Sequence, residues 1–164
     1  MPAMRRAIRF HFDFISPYGY LAWTRMSGIA ERHGDELVPV PVLFAGLLDA
    51  HGTKGPAEVP ARRRYLIKDV ARKAATLGVA IKAPFAHPFN PLLLLRIASL
   101  PIGEPERRRV IDVLYRAVWA ERRDITSPEV VRGLLATEGF DPGLIEQASS
   151  PESKARVRAQ TACP

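Results

Sequence analysis

The opening of the chain, up to Phe44, prescribes a strand, a helix and a second strand, and this order narrows the available folds more than any other feature. In Ala7-Ile8-Arg9-Phe10-His11-Phe12-Asp13-Phe14 the apolar residues Ile8, Phe10, Phe12 and Phe14 occupy every second position, the period of a strand with one buried face. Ser16-Pro17 then opens an element in which Tyr20, Leu21, Trp23, Ile29 and Ala30 recur at helical spacing until His33-Gly34 stops it. Leu37 to Phe44 is extended again, and Pro39 and Pro41 restrict it to an edge or to positions that need no amide donor. Strand, helix, strand is the start of a right-handed βαβ unit in an α/β fold.

Beyond Phe44 a connection containing Gly, Pro and Ala, from Gly46 to Pro60, leads into segments with helical periodicity only. Leu66, Val70, Ala74 and Leu77 share one face, as do Val110, Ile111, Leu114, Tyr115, Val118 and Trp119 in a helix with an arginine-rich opposite side. Shorter helices are predicted over Pro91 to Leu100, Pro128 to Thr137, Pro142 to Ala148 and Pro151 to Thr161, each opened by a proline suited to a first turn. Two strands rarely make a stable sheet alone. The remaining edge must therefore be covered by helices, paired with another chain, or left exposed.

Charge and cysteine content bear on what such a fold could do. The net charge of +7 raises nucleic acid as a partner. The cations of Arg62 to Arg64, Arg107 to Arg109 and Arg122-Arg123 are dispersed over several helices among acids, without a finger or RNA-recognition pattern, so no nucleic acid is expected. A solvated basic face is the plain account of them, and steering of small anions is the functional one. No apolar run approaches the roughly 18 residues of a membrane span, so a cytoplasmic protein with no membrane partner is expected. The single cysteine, Cys163, allows neither a CxxC pair nor a cysteine zinc site within one chain, and no metal is expected. Any thiol chemistry needs a thiol from outside.

Ser16-Pro17 falls where the first strand ends and the first helix begins. Its side chain is a natural N-cap, and Ser127-Pro128 and Ser150-Pro151 repeat the pair in that role alone. Ser16 differs because open α/β sheets gather ligands after the first strand of such a unit, where helix amides and dipole favour an anion. Around it, Phe12-Asp13-Phe14-Ile15-Ser16-Pro17-Tyr18-Gly19-Tyr20-Leu21-Ala22 resembles the opening signature of the 2-hydroxychromene-2-carboxylate isomerases and kappa-class glutathione transferases. Gly52-Thr53-Lys54-Gly55-Pro56, Pro60 to Tyr65 with Asp69, Pro88-Phe89-Asn90-Pro91 with Arg96, and Ala117-Val118-Trp119 with Asp124-Ile125 are similar to later blocks of the family, in the same order.

The resemblance implies a thioredoxin-like fold with an inserted all-helical domain. Residues 1–45 would form the βαβ part, 46–150 the insertion, and 151–164 the start of a return to the thioredoxin-like part, with the C-terminal portion of the sheet missing. It also implies glutathione as cofactor, with serine replacing the first redox cysteine. Ser16 would be catalytic, activating the thiolate. Ser16, Pro17, Tyr18, Thr53 and Arg62 would hold glutathione, and Lys54, Phe89 and Asn90 an aromatic carboxylate. Thr53 stands where relatives carry asparagine and Arg62 where they carry lysine, changes that remove an amide group and alter donor geometry. The expected activity is isomerisation of hydroxychromene carboxylates from aromatic degradation. The alternatives are a kappa-type transferase or a non-catalytic interaction protein that pairs its open strand edge with a partner or as a homodimer.

Overall fold

The computed structural model describes residues 6–162. β1 (Ala7–Phe12) and β2 (Glu36–Pro41) flank α1 (Pro17–His33) and pair in parallel, with Ala7 opposite Glu36 and Phe12 opposite Pro41. Then follow α2 (Phe44–Ala50), a 3₁₀ turn (Pro56–Glu58), α3 (Pro60–Leu77), α4 (Leu92–Ala98), α5 (Glu104–Trp119), α6 (Pro128–Thr137), α7 (Leu144–Ala148) and α8 (Pro151–Ala162). Among the described residues the sheet has two strands, and everything after β2 is helix or turn.

The prolines of β2 fit because of pairing parity. Glu36 and Val42 donate to the carbonyls of Arg6 and Phe12, so even-numbered positions face β1 and Pro39 and Pro41 face away, where a missing amide costs no ladder bond. The far side of β2 is covered by helices. α8 and α4 pack against it, and the Arg108 guanidinium of α5 donates to the outward carbonyl of Leu37 at 2.6 Å. That contact corrects the expectation of a solvated arginine face. Arg107 donates to the carbonyls of Ala98 and Ile102, and Arg109 reaches the Glu138 carbonyl and lies 4.5 Å from the Phe140 ring centroid.

Several boundaries differ from the sequence expectation. β1 stops at Phe12, not Phe14, because Ser16 N donates back to the Asp13 carbonyl in a tight turn and Trp119 takes the carbonyl of Phe14. β2 stops at Pro41, and Phe44 starts α2 inside the stretch assigned to strand and connection. This helix has no side-chain cap from its own N-cap residue, Leu43, which removes the usual sequence signal. Its first amides are satisfied from afar, Leu43 N by Thr161 of α8 and Phe44 N by Asp13. Pro91 and Pro142 precede their helices instead of occupying the first turn, since α4 begins at Leu92 and α7 at Leu144.

The core is centred on α5, whose residues Val110, Ile111, Leu114, Tyr115, Val118 and Trp119 are all buried as the periodicity requires. Tyr115 is fully enclosed, with ring centroids of Phe12, Phe14, Tyr20 and Trp23 between 4.8 and 6.4 Å away. The inward face of β1 and one face of α1 thereby rest on a single aromatic cluster.

Candidate functional site

In the turn between β1 and α1 the carbonyls of Asp13, Phe14 and Ile15 are each held by a distant side chain. The Tyr115 hydroxyl donates to the carbonyl of Asp13 at 3.3 Å, Trp119 Nε1 to that of Phe14 at 2.8 Å, and His87 Nε2 lies 3.1 Å from that of Ile15. Asp13 itself is buried, 4% exposed, and its carboxylate accepts from Ile15 N at 3.1 Å and Phe44 N at 2.8 Å. The next residue is Ser16. It caps α1, its Oγ accepting from Gly19 N at 3.0 Å, and no acid occupies the first turn of the helix. A hydroxyl that accepts from an amide keeps its own hydrogen for a ligand, and the helix amides add positive potential at the same place.

Ser16 opens onto a cleft of about 450 Å³, whose wall also includes Asp13, Pro17, Tyr18, Phe44, Glu58, His87 and Phe89. The volume suits a small-molecule ligand. Tyr18 is turned outward, its hydroxyl donating to Asp69 of α3 at 2.6 Å, and desolvation followed by that carboxylate pushes its pKa up to about 12. Tyr18 and Pro56 also border a shallower groove that contains Arg62. The groove therefore continues the cleft towards a cation.

The structure brings Ser16, Pro17, Tyr18 and Phe89 to the cleft and Arg62 to its extension. It does not bring the other expected residues to the wall. Thr53 is exposed and folded back on α2, with its amide bonded to the Leu48 carbonyl. Lys54 is exposed beside Gly55, and Asn90 Oδ1 accepts from Leu92 N at 3.0 Å, a local turn into α4. Cys163 lies outside the described residues. Among the described residues no group of three or more His, Cys, Asp or Glu side chains could hold a metal ion, and no helix is long and apolar enough to cross a membrane.

Among the wall residues absent from the sequence-derived site, Asp13 and His87 hold the turn itself. Asp13 had a signal, a charge between two buried phenylalanines at the end of a strand. His87 had none, because the chain separates it from Ile15 by 72 residues. Burial, then the charge of Arg63, lowers the His87 pKa and favours the neutral ring, whose Nε2–H donates to the Ile15 carbonyl.

Asp13 carries a testable pH signature. Desolvation raises its pKa from 3.8 to about 6 against the pull of its two amide donors. A pKa raised on folding contributes stability that is present below the unfolded value and lost as pH rises through the folded one. The wild-type protein is therefore expected to lose about 3 kcal/mol relative to Asp13→Asn between about pH 3 and pH 7, with about 2 kcal/mol of it between pH 4 and pH 6. The variant starts with a fixed deficit, because asparagine offers one acceptor to two amides. Urea denaturation at several pH values checks this, and parallel curves for the two proteins would refute it.

This arrangement, a parallel βαβ unit with a cleft-lining serine at the mouth of the first helix, defines a thioredoxin-like protein. The chain belongs to the DsbA-like thioredoxin-domain family, whose pattern matches residues 7–163. It is similar to the 2-hydroxychromene-2-carboxylate isomerase of Sphingobium xenophagum, 26% identical over an alignment of 158 positions that spans 94% of this chain and 80% of that protein. It is also similar to human glutathione S-transferase kappa 1, 22% identical over an alignment of 174 positions that spans 98% of this chain and 76% of the other. A solved 2-hydroxychromene-2-carboxylate isomerase superposes with a TM-score of 0.84 over 95% of this chain and 77% of its own, at 24% identity. The cytosolic disulfide reductase DsbM from Pseudomonas aeruginosa superposes at 0.68 over 94% and 76%, with 15% identity. At these identities the two structures speak to the fold, which is DsbA-like, mostly helical, with a small parallel sheet.

Proposed function

We propose that this chain is a glutathione-dependent isomerase of aromatic carboxylates of the hydroxychromene type. The observation that carries the proposal is Ser16 at the mouth of α1, with its Oγ accepting from Gly19 N and its hydroxyl hydrogen free to donate into the cleft. A serine there cannot form a disulfide, so redox cycling through this position is excluded chemically. What it can do is hold an anionic sulfur by a charge-assisted hydrogen bond, supported by the positive end of α1.

Glutathione fits the residues present. The cleft is large enough for a small peptide thiol, its wall near Ser16 is mostly apolar, and the adjoining groove offers Arg62 to a carboxylate. When bound, glutathione would supply a thiolate nucleophile for reversible addition to the conjugated system of the substrate. Ser16 would donate to the sulfur, Pro17 and Tyr18 would shape the entrance, and Phe89 would lie against the aromatic body. Thr53, Lys54 and Asn90 would act only at the margin, because none of them lines the cleft. The names of the relatives support the class of reaction.

The experiment is to mix the purified protein with glutathione and 2-hydroxychromene-2-carboxylate and follow absorbance together with free thiol. Conversion that requires glutathione and leaves its concentration unchanged is expected. Stoichiometric loss of thiol would replace the proposal with a kappa-type transferase, and conversion at the same rate without glutathione would remove the thiol mechanism altogether.

A further inference from the structure

A second cleft, of about 420 Å³, adjoins the first and shares with it Pro17, Leu66 and His87. Its chemistry is different. The Ser16 cleft has Asp13 and Glu58 in its wall and, among the described residues, no lysine or arginine. The second has Arg63 and Lys82 and, among the described residues, no acid. Arg63 comes near enough to the half-buried imidazole for its charge to oppose protonation of His87. Arg116 and Arg132 on other helices have carboxylate partners, whereas among the described residues neither Arg63 nor Lys82 has one.

The rest of the wall is apolar, and part of it is displayed to solvent. Phe85 and Ile67 are each 61% exposed, an unfavourable state for large hydrocarbon side chains, and both border this cleft. Behind them, Val70 and Trp119 are buried. Uncovered hydrocarbon beside two unpaired cations is complementary to one kind of small molecule, a flat or extended hydrocarbon with a single anionic end. A neutral hydrocarbon would leave the cations unused, and a compact inorganic anion would leave Phe85 and Ile67 in water.

We propose that the cleft formed by Arg63, Lys82, Phe85, Ile67 and Trp119 is a separate binding site for aryl carboxylates, with the carboxylate on the two cations and the ring between Phe85 and the buried floor. The site does not depend on the reaction proposed for Ser16, and either could exist without the other. Because Pro17, Leu66 and His87 belong to both walls, a ligand here also lies directly behind the turn that presents Ser16.

Isothermal titration with 1-naphthoate, and with 1-naphthalenemethanol as a neutral counterpart, tests the assignment. Arg63 and Lys82 are exposed, so Arg63→Gln with Lys82→Gln is compatible with folding, which circular dichroism would verify. The doubly substituted protein is expected to bind naphthoate about tenfold or more weakly, with the affinity for the alcohol unchanged. Phe85→Ala is expected to weaken both ligands. Phe44→Ala, at the rim of the other cleft, is expected to weaken neither. The assignment is overturned if naphthoate fails to bind at millimolar concentration, if the double substitution leaves its affinity intact, or if Phe44→Ala is the change that removes it. Activity with glutathione plays no part in these measurements, so a failure here leaves the Ser16 proposal to its own assay.

Discussion

Ser16→Ala is expected to lower glutathione-dependent turnover by about a hundredfold or more, the usual cost of removing one hydrogen-bond donor aimed at a reacting anion. The same change removes an N-cap, which costs about 1 kcal/mol of stability, so activity loss alone would not separate chemistry from folding. Ser127 provides the matched control. It too precedes a proline at the start of a helix, and its hydroxyl accepts from Val130 N at 3.4 Å as that of Ser16 accepts from Gly19 N. Ser127→Ala should therefore cost a comparable amount of stability and leave turnover as it was. Equal activity in both variants would reduce Ser16 to a cap.

Gly19→Ala is expected to destabilise the protein by about 1–3 kcal/mol, although alanine in a helix ordinarily gains about 1 kcal/mol over glycine. A Cβ at this position would come within 2.8 Å of the Tyr115 hydroxyl and 3.2 Å of Ser16 Cβ. Tyr115 cannot easily retreat, because it is completely enclosed and its ring is packed among four other aromatic side chains. The clash therefore outweighs the propensity gain. Tyr115→Phe deletes the obstructing oxygen at the cost of a long hydrogen bond to the Asp13 carbonyl. The pair should accordingly be coupled, with Gly19→Ala less harmful in the Tyr115→Phe background than in the wild type, as a double-mutant cycle in urea would show. Additive effects would mean that the helix yields instead of the ring.

The elements that could be read from the sequence were those whose signals are local. The alternation of Ile8, Phe10 and Phe12, the Ser16-Pro17 start and Gly34 stop of α1, and the Ser127-Pro128 start of α6 all appear where periodicity and capping place them. α2 was hidden because Asp13, 31 residues earlier, satisfies its first amide and leaves Leu43 an inconspicuous N-cap. The arginines of α5 were misjudged for a related reason. Charge alone describes a solvated side chain, but the carbonyls of Leu37 and Ala98 that Arg108 and Arg107 reach are set by tertiary packing.

The candidate site divides along the same line. Ser16 was legible because a strand end followed by a helix start is a local event, and Pro17 and Tyr18 came with the family motif around it. Phe89 reaches the cleft through a connection whose path the sequence does not encode in any period, and its neighbour Asn90 spends its side chain on the turn into α4. Arg62 and Arg63 are adjacent on α3, yet they border different cavities, since consecutive residues on a helix point about 100° apart. The family motif singled out Arg62, but no periodicity in the sequence separates its surroundings from those of Arg63.

The carbonyls of Asp13, Phe14 and Ile15 in the Ser16 turn, tied to Tyr115, Trp119 and His87, separate two properties that most loops keep together. Placement of the hydroxyl is delegated to the interior, while the composition of the surrounding walls remains free to drift. Relatives could exchange one substrate for another by altering Phe44, Phe89 or the residues near Arg62, with the polar group at the helix mouth staying where the aromatic interior puts it.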